Sequence, residues 1–357
     1  MNVLFDPLLL TVLFSQLMFN LLIISLWNND NLIKFHGVYQ AEQKIHEGFV
    51  PRFGGLVMIT TLIFISFHED LFSEWNAPLQ HILWCLSALI IVTFLEDIYN
   101  NILPLARLFF IFLSSVLVLT TGGYNLPVID FPLISDVINH PWVLTILLTL
   151  ALAAMVNAFN LIDGANGLLL TSFLFILACL HEMAGTVTDA DWQHLIQMLV
   201  FICGIQLLFN FPKARIFAGD LGAYTFGFII ATLVILFFGR YPEFLTWQAI
   251  LILFYPAWEL VFTVIRRLVN NKNPLTADRY HLHQLIFTSL QKKIHHTVYA
   301  NALTTIILLP LISFAFIWMA VFNTMLDLRE TWTGIVLHLL LYLVVYYVAK
   351  KNNDYAN

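Results

Sequence analysis

The sequence predicts an all-α polytopic membrane protein of about eleven transmembrane helices, one membrane-embedded domain over residues 1–357. Three observations carry this. Hydrophobic residues make up 60% of the chain and charged residues only 11%, where soluble domains average about 25% charged. The apolar residues fall into repeated runs of about 20, the length that crosses a bilayer as a helix. The strand alternation of a barrel is missing, and in lipid only helices and closed barrels satisfy their own backbone groups. A mean hydropathy of +0.84 leaves no room for a sizeable soluble domain.

The first run, about 5–27, lacks a basic leader and an evident small-residue cleavage site, so it reads as a span and not as a cleaved signal peptide. Runs at about 53–68, 79–95 and 104–121 follow. The second is short, and Pro104 and Arg107 crowd the start of the fourth. Further spans are predicted at about 142–158, 166–184, 195–211, 222–239, 246–265, 299–321 and 332–349. Cys85, Cys179 and Cys203 lie inside apolar runs, without metal-type spacing or a disulfide framework.

Basic residues set the orientation. One set of loops holds fourteen of the sixteen lysines and arginines, from Lys34 and Lys44 through Arg279 to Lys350 and Lys351; the opposite set holds only Arg240 and Arg329. The positive-inside rule makes the rich side cytoplasmic, with the N-terminus outside and the C-terminus inside. The net charge of −6 says little beside this distribution.

The same topology sorts polar clusters that played no part in building it. Five loops or helix ends face the cytoplasm: Lys44-Ile-His46 with Pro51-Arg52-Phe53-Gly54-Gly55, Glu96-Asp97-Ile-Tyr-Asn100 followed by Arg107, Asn157 to Leu168, Asn210 to Gly222, and the polar loop around 267–298. External loops such as 122–141 and 185–193 carry no comparable constellation, so an active site is expected on the cytoplasmic face. In the third cluster Asn157, Asn160 and Asp163 are spaced i, i+3, i+6 and share one helical face. Amides and carboxylates gathered at a span end tend to mark function.

Asp97, Asp163 and Asp220, with amide oxygens nearby, suit a hard cation such as Mg²⁺, which takes oxygen ligands from one or two carboxylates and substrate phosphates. Singly, each could merely cap a helix. Arg107, Arg215, Arg279, Lys44, His46, His281 and His283 suit a pyrophosphate, arginine giving forked contacts to its oxygens; the positive-inside bias alone accounts for most other basic residues. His281 and His283 lack the further ligands of a zinc site. Phe217 either stacks on a base or simply packs. No P-loop, dinucleotide fingerprint or nucleophile elbow is present. A cation, a phosphate-bearing soluble substrate and a membrane-embedded site together imply phosphate chemistry on a lipid.

Glu96-Asp97-x-x-Asn100, Asn157-x-x-Asn160-x-x-Asp163-Gly164-x-x-Gly167-Leu168, Phe217-x-Gly219-Asp220-x-Gly222 and Asp278-Arg279-x-His281-Leu-His283, with the Lys44-x-His46 and Pro51-Arg52-x-Gly54-Gly55 loop, resemble the motifs of the polyprenyl-phosphate N-acetylhexosamine-1-phosphate transferases, glycosyltransferase family 4. They arrive in family order over about 44–284. The resemblance implies transfer of a sugar-1-phosphate from a UDP-N-acetylhexosamine to a polyprenyl phosphate such as undecaprenyl phosphate, with UMP released, in a bacterial inner membrane. It implies Asp220 as main Mg²⁺ ligand (Mn²⁺ serving in its place), assisted by Asn160. Asp97, beside Glu96, would deprotonate or position the attacking phosphate, and Arg107 would meet the pyrophosphate or lipid phosphate. Asn166 and Phe217 would hold the uracil, with Asp163 near the nucleotide and Asn157 among the substrate-binding residues. Lys44 and His46 would join the substrate site, and Arg279, His281 and His283 would recognise the sugar phosphate. A homodimer is compatible with the family, and no nucleic-acid partner is implied.

Three positions depart from the family pattern: Glu96 stands for the usual aspartate, Gln284 follows where many bacterial members carry another histidine, and Glu259 replaces the commoner aspartate. UDP-GlcNAc is the first expectation for the donor, starting an O-antigen, lipopolysaccharide or wall glycan, with UDP-MurNAc-pentapeptide the alternative within the family. A transporter or flippase would place ionisable groups mid-span and often show repeat symmetry; here they gather at one face. A non-catalytic scaffold would not need the ordered motifs.

Overall fold

The computed structural model describes residues 7–28, 50–67, 76–273 and 278–354. The described residues form helices and loops without a β-strand. In chain order the helices are α1 (Pro7–Asn28), α2 (Gly54–Ser66), α3 (Asn76–Tyr99), α4 (Pro104–Thr121), α5 (Ser135–Ile138), α6 (Pro141–Ile162), α7 (Leu168–Thr186), α8 (Ala190–Asn210), α9 (Gly219–Arg240), α10 (Trp247–Ile252), α11 (Phe254–Val269), α12 (Leu282–Ile294), α13 (Thr297–Ile312), α14 (Phe314–Phe322) and α15 (Leu328–Asp354).

Among the described residues, nine helical segments are long and apolar enough to cross a bilayer, α13 and α14 counting as one. Helix covers each of the eleven predicted runs, but two fall short. The 13-residue α2 rises about 20 Å, against a hydrocarbon core of about 30 Å. The run at 246–265 is split at Leu253 into α10 and α11. Pro256 explains the split, because it has no N–H to bond the carbonyl four residues back and its ring crowds that carbonyl.

α9 is the hub. Of its hydrophobic stretch, 94% is buried within the protein, and α2, α3, α6 and α7 pack around it. A helix apolar on every side and enclosed by others needs close neighbours, since lipid gives no hydrophobic drive for helices to associate. Gly55 supplies one such approach: a Cβ there would lie 2.1 Å from the Gly222 nitrogen. Large apolar side chains point outward instead on the peripheral helices, including Phe14, Trp84, Phe109, Leu147 and Leu340. That is the surface of a protein solvated by lipid.

This packing brings the N-termini of α2, α4 and α9 and the C-termini of α3, α6 and α11 to one end of the bundle. The segment before α2 is laced to the one before α9 by backbone bonds: Phe217 N–H donates to Pro51 at 2.9 Å, Gly54 N–H to Phe217 at 2.9 Å and Gly55 N–H to Ala218 at 2.8 Å.

Candidate active site

The site is built on the start of α9. The first amides of a helix have no partner within it and carry partial positive charge. Here Asp97, at the end of α3, takes two of them, accepting from Asp220 N–H and Leu221 N–H at 2.8 Å each. Gly219 makes this possible. It sits at φ +74, and a Cβ on it would come within 2.6 Å of the Asp97 carboxylate. Both oxygens of Asp97 are thus engaged, and its side chain is 1% exposed.

With α9 so anchored, the Asp220 carboxylate faces two guanidinium groups. Arg52 Nη2 donates to one oxygen at 2.7 Å and Arg107 Nη1 to the other at 2.7 Å. Arg52 Nε also lies 3.4 Å from Asp97, and Arg107 Nη1 lies 3.4 Å from Glu96. Glu96 in turn accepts from the Ile102 N–H at 2.8 Å, so the longer side chain at this position ties the α3–α4 connection to Arg107. Pro104 at the first turn of α4 aims that helix, and Arg107 with it, at the cluster.

Asn157, Asn160 and Asp163 arrive on the last two turns of α6. Asn160 donates to the Tyr224 hydroxyl at 3.0 Å, one turn beyond Asp220, and Arg107 lies 5.8 Å over the Tyr224 ring. Asn157 donates back to the Ala153 carbonyl at 2.8 Å. Asp163 ends α6 within the field of Arg52 and Asp220: burial pushes its carboxyl up to about 7, Arg52 pulling it down and Asp220 adding to the rise. Asn166 is a knot in the loop that follows. Its N–H donates to Asn301 at 2.6 Å, its side-chain amide to the Pro212 carbonyl at 2.9 Å, and its carbonyl accepts from Thr305. Phe217 is half-buried beside Pro51.

The 278–283 segment closes on the same place. Asp278 is gripped by Arg266 and Arg267 at the end of α11; burial alone would raise its carboxyl, but the hydrogen bond and charge of Arg266, with His281, hold it below its ordinary value. Arg279 is exposed. His283 is buried against Gly164, where a Cβ would stand 2.1 Å from its ring nitrogen. The His281 and His283 rings stack, 5.8 Å apart and 2° from parallel. Burial, then the neighbouring His281, push His283 down to about 3, against the pull of Glu259, so it is neutral near pH 7.

The structure therefore brings together Glu96, Asp97, Arg107, Asn160, Asp163 and Asp220, with His283 abutting through Gly164. Lys44 and His46 lie outside the described residues. Four members were not singled out by sequence. Arg52 had no assigned role, because the positive-inside bias explains any arginine at this end. Tyr224 carries a legible signal, standing i+4 from Asp220 on one helix face. Glu259, marked only as a departure, and Tyr342, far away in sequence, support His281 from behind.

The donor set fits a divalent cation of the Mg²⁺ class. Three carboxylates (Glu96, Asp97, Asp220) pair with two arginines, and Asp163, its carboxyl raised by burial, lies in the same field. Among the described residues no three His, Cys, Asp or Glu side chains form a ready metal cage, and both Asp220 oxygens accept from arginines, so a cation held there would have to displace one of these contacts. Buried polar atoms without a protein partner, Arg107 Nε and both ring nitrogens of His283, mark the same region.

The glycosyl transferase family 4 model matches residues 79–238, the stretch from α3 to α9 that carries Glu96, Asp97, Arg107, the α6 motif and Asp220. A Bacillus subtilis protein named probable undecaprenyl-phosphate N-acetylglucosaminyl 1-phosphate transferase is 28% identical over 258 residues, 70% of either chain. The Thermotoga maritima undecaprenyl-phosphate alpha-N-acetylglucosaminyl 1-phosphate transferase is 26% identical over 254 residues, 70% of this chain and 72% of its own. A Yersinia pestis protein of the same name is 25% identical over 327 residues, 87% of this chain and 82% of its own.

Proposed function

We propose, from the premise that this chain belongs to glycosyl transferase family 4, that it is an integral membrane sugar-phosphate transferase acting on a polyprenyl phosphate. The finer reading is transfer of N-acetylhexosamine-1-phosphate, GlcNAc-1-phosphate first, from a UDP-sugar to undecaprenyl phosphate, with release of UMP. We place the reaction at the cytoplasmic face of a bacterial inner membrane, the arginine-rich end of the bundle, as the opening step of O-antigen or another envelope glycan. The observation that supports this most is the meeting of Arg52, Glu96, Asp97, Arg107 and Asp220, drawn from three separate motifs, within hydrogen-bonding or ion-pairing distance.

The reaction sets a phosphate dianion against a pyrophosphate, so like charges must approach. Catalysis of such transfers rests on positioning and charge stabilisation. Arg52 and Arg107 bring two positive charges to the pocket, and arginine's planar fork matches phosphate oxygens. Asp97 holds the start of α9 and so fixes where Asp220 points. Glu96 limits the swing of Arg107. Asp220 and Asn160 are the residues that would hold Mg²⁺, which when bound neutralises charge developing on the transferred phosphoryl group. Phe217 would stack on the base, and exposed Arg279 would reach the sugar phosphate.

Purified protein with undecaprenyl phosphate, Mg²⁺ and labelled UDP-GlcNAc tests the reading. The expected result is EDTA-sensitive UMP together with a butanol-extractable labelled lipid. Absence of both with every UDP-aminosugar offered would contradict it.

A further inference from the structure

The histidine segment is held from behind by a helix that no motif touches. Glu259, on α11, is 0% exposed. One of its oxygens accepts from the Leu282 N–H at 3.1 Å and lies 3.3 Å from His281 Nδ1. The other accepts from the Tyr342 hydroxyl at 2.8 Å. Tyr342 belongs to α15, and α15 makes two further contacts with the same region: the Tyr346 hydroxyl donates to the Tyr280 carbonyl at 3.4 Å, and Asn353 donates to the Leu285 carbonyl at 2.8 Å. All of this lies outside the 79–238 stretch matched by the family model.

We infer that Tyr342, acting through Glu259, is a positioning residue for His281-Leu282-His283, so that the last helix sets the geometry with which the chain grips its donor; this rests on the reading above that the segment meets the sugar phosphate. A buried carboxylate needs every donor it has, because water cannot replace one that is lost. Glu259 divides its oxygens, one to the segment and one to α15. Removing the Tyr342 hydroxyl leaves the second oxygen buried and unpaired, and the carboxylate then relaxes by turning away from Leu282 and His281. Tyr346 matters less, since 3.4 Å is at the limit of a useful hydrogen bond.

The test is Tyr342→Phe in the full chain, with two readouts. In steady state the donor KM rises about tenfold, the equivalent of one hydrogen bond to a buried charge, while the KM for undecaprenyl phosphate is unchanged and kcat stays within about twofold. In the absence of substrate, diethyl pyrocarbonate labels His281 and His283 several-fold faster than in the parent, read by mass spectrometry of the 278–292 peptide. A purely structural role would lower the folded fraction, and hence kcat, without moving either the donor KM or the labelling of folded protein. Should Tyr342→Phe not fold, Glu259→Gln decides by the same readouts, since its single amide oxygen cannot accept from both Tyr342 and the Leu282 N–H. Unchanged labelling together with an unchanged donor KM overturns the proposal. Faster labelling in a protein that turns over no UDP-sugar supports the positioning role and sinks the donor reading instead.

Discussion

At the scale of single residues, the account turns on Asp220 and its two arginines. Asp220→Ala removes the carboxylate that both guanidiniums address, and UMP release should fall by about 10³-fold or more. Arg107→Gln loses the charge and the reach of the guanidinium; a loss of about 10²-fold in kcat/KM is expected for removing one preorganised donor at a charged transition state. Turnover within a few-fold of the parent in both variants would remove the site from this place. His283 gives a prediction in pH. It is neutral down to about 3 in the folded chain against an ordinary 6.5, so below 6.5 the unfolded chain takes up a proton that the folded chain refuses. Its stabilising share is therefore complete above about pH 6.5 and lost as pH falls toward 3. The difference in unfolding midpoint between pH 7 and pH 5 should narrow in His283→Gln; an unchanged difference counts against the burial argument. The aspartates were legible in sequence because a carboxylate at the end of an apolar run is costly and stands out. Arg52 was not, because a basic residue at that end needs no special reason to be there.

At the scale of elements, the α3–α9 junction is the joint that matters. Asp97 caps α9 with two bonds to backbone amides, and a carboxylate there also interacts with the helix dipole. Asp97→Ala should cost about 1–2 kcal/mol of stability and, by loosening α9, also mislay Asp220. Asp97→Asn keeps one acceptor and should recover part of the stability; stability equal to the parent in Asp97→Ala would refute the capping role. Gly55→Val puts side-chain atoms where the Gly222 backbone stands and should destabilise by about 1–3 kcal/mol or prevent insertion. The helix pattern was readable from runs of apolar residues, and ten of the eleven were placed within a few residues. What hydropathy does not report is continuity: the break at Leu253 follows from Pro256. Nor does it report the support of His281 by Tyr342, since the Glu259–Tyr342 contact joins residues 83 positions apart in the chain.

At the scale of the whole molecule, one end of a helical bundle gathers carboxylates, amides and arginines while its sides are covered in apolar residues. On the function proposed above, such a shape would let a lipid bring its phosphate from the membrane and a nucleotide bring its pyrophosphate from water, so that neither has to cross. If the arginine-rich end is cytoplasmic, a cysteine placed at Lys213 should react with a membrane-impermeant maleimide only after cells are opened, and one placed at Glu243 in intact spheroplasts; the reverse pattern would invert the topology. The most direct test of the chemistry follows phosphorus. Wild-type protein is given undecaprenyl phosphate and UDP-GlcNAc labelled with ³²P in the β-phosphate and ³H in the sugar. Transfer of the sugar with its phosphate predicts both labels in the lipid phase in the donor's own ratio, with UMP unlabelled. If ³H enters the lipid while ³²P stays in water as UDP, the P–O bond was never broken and the account is wrong.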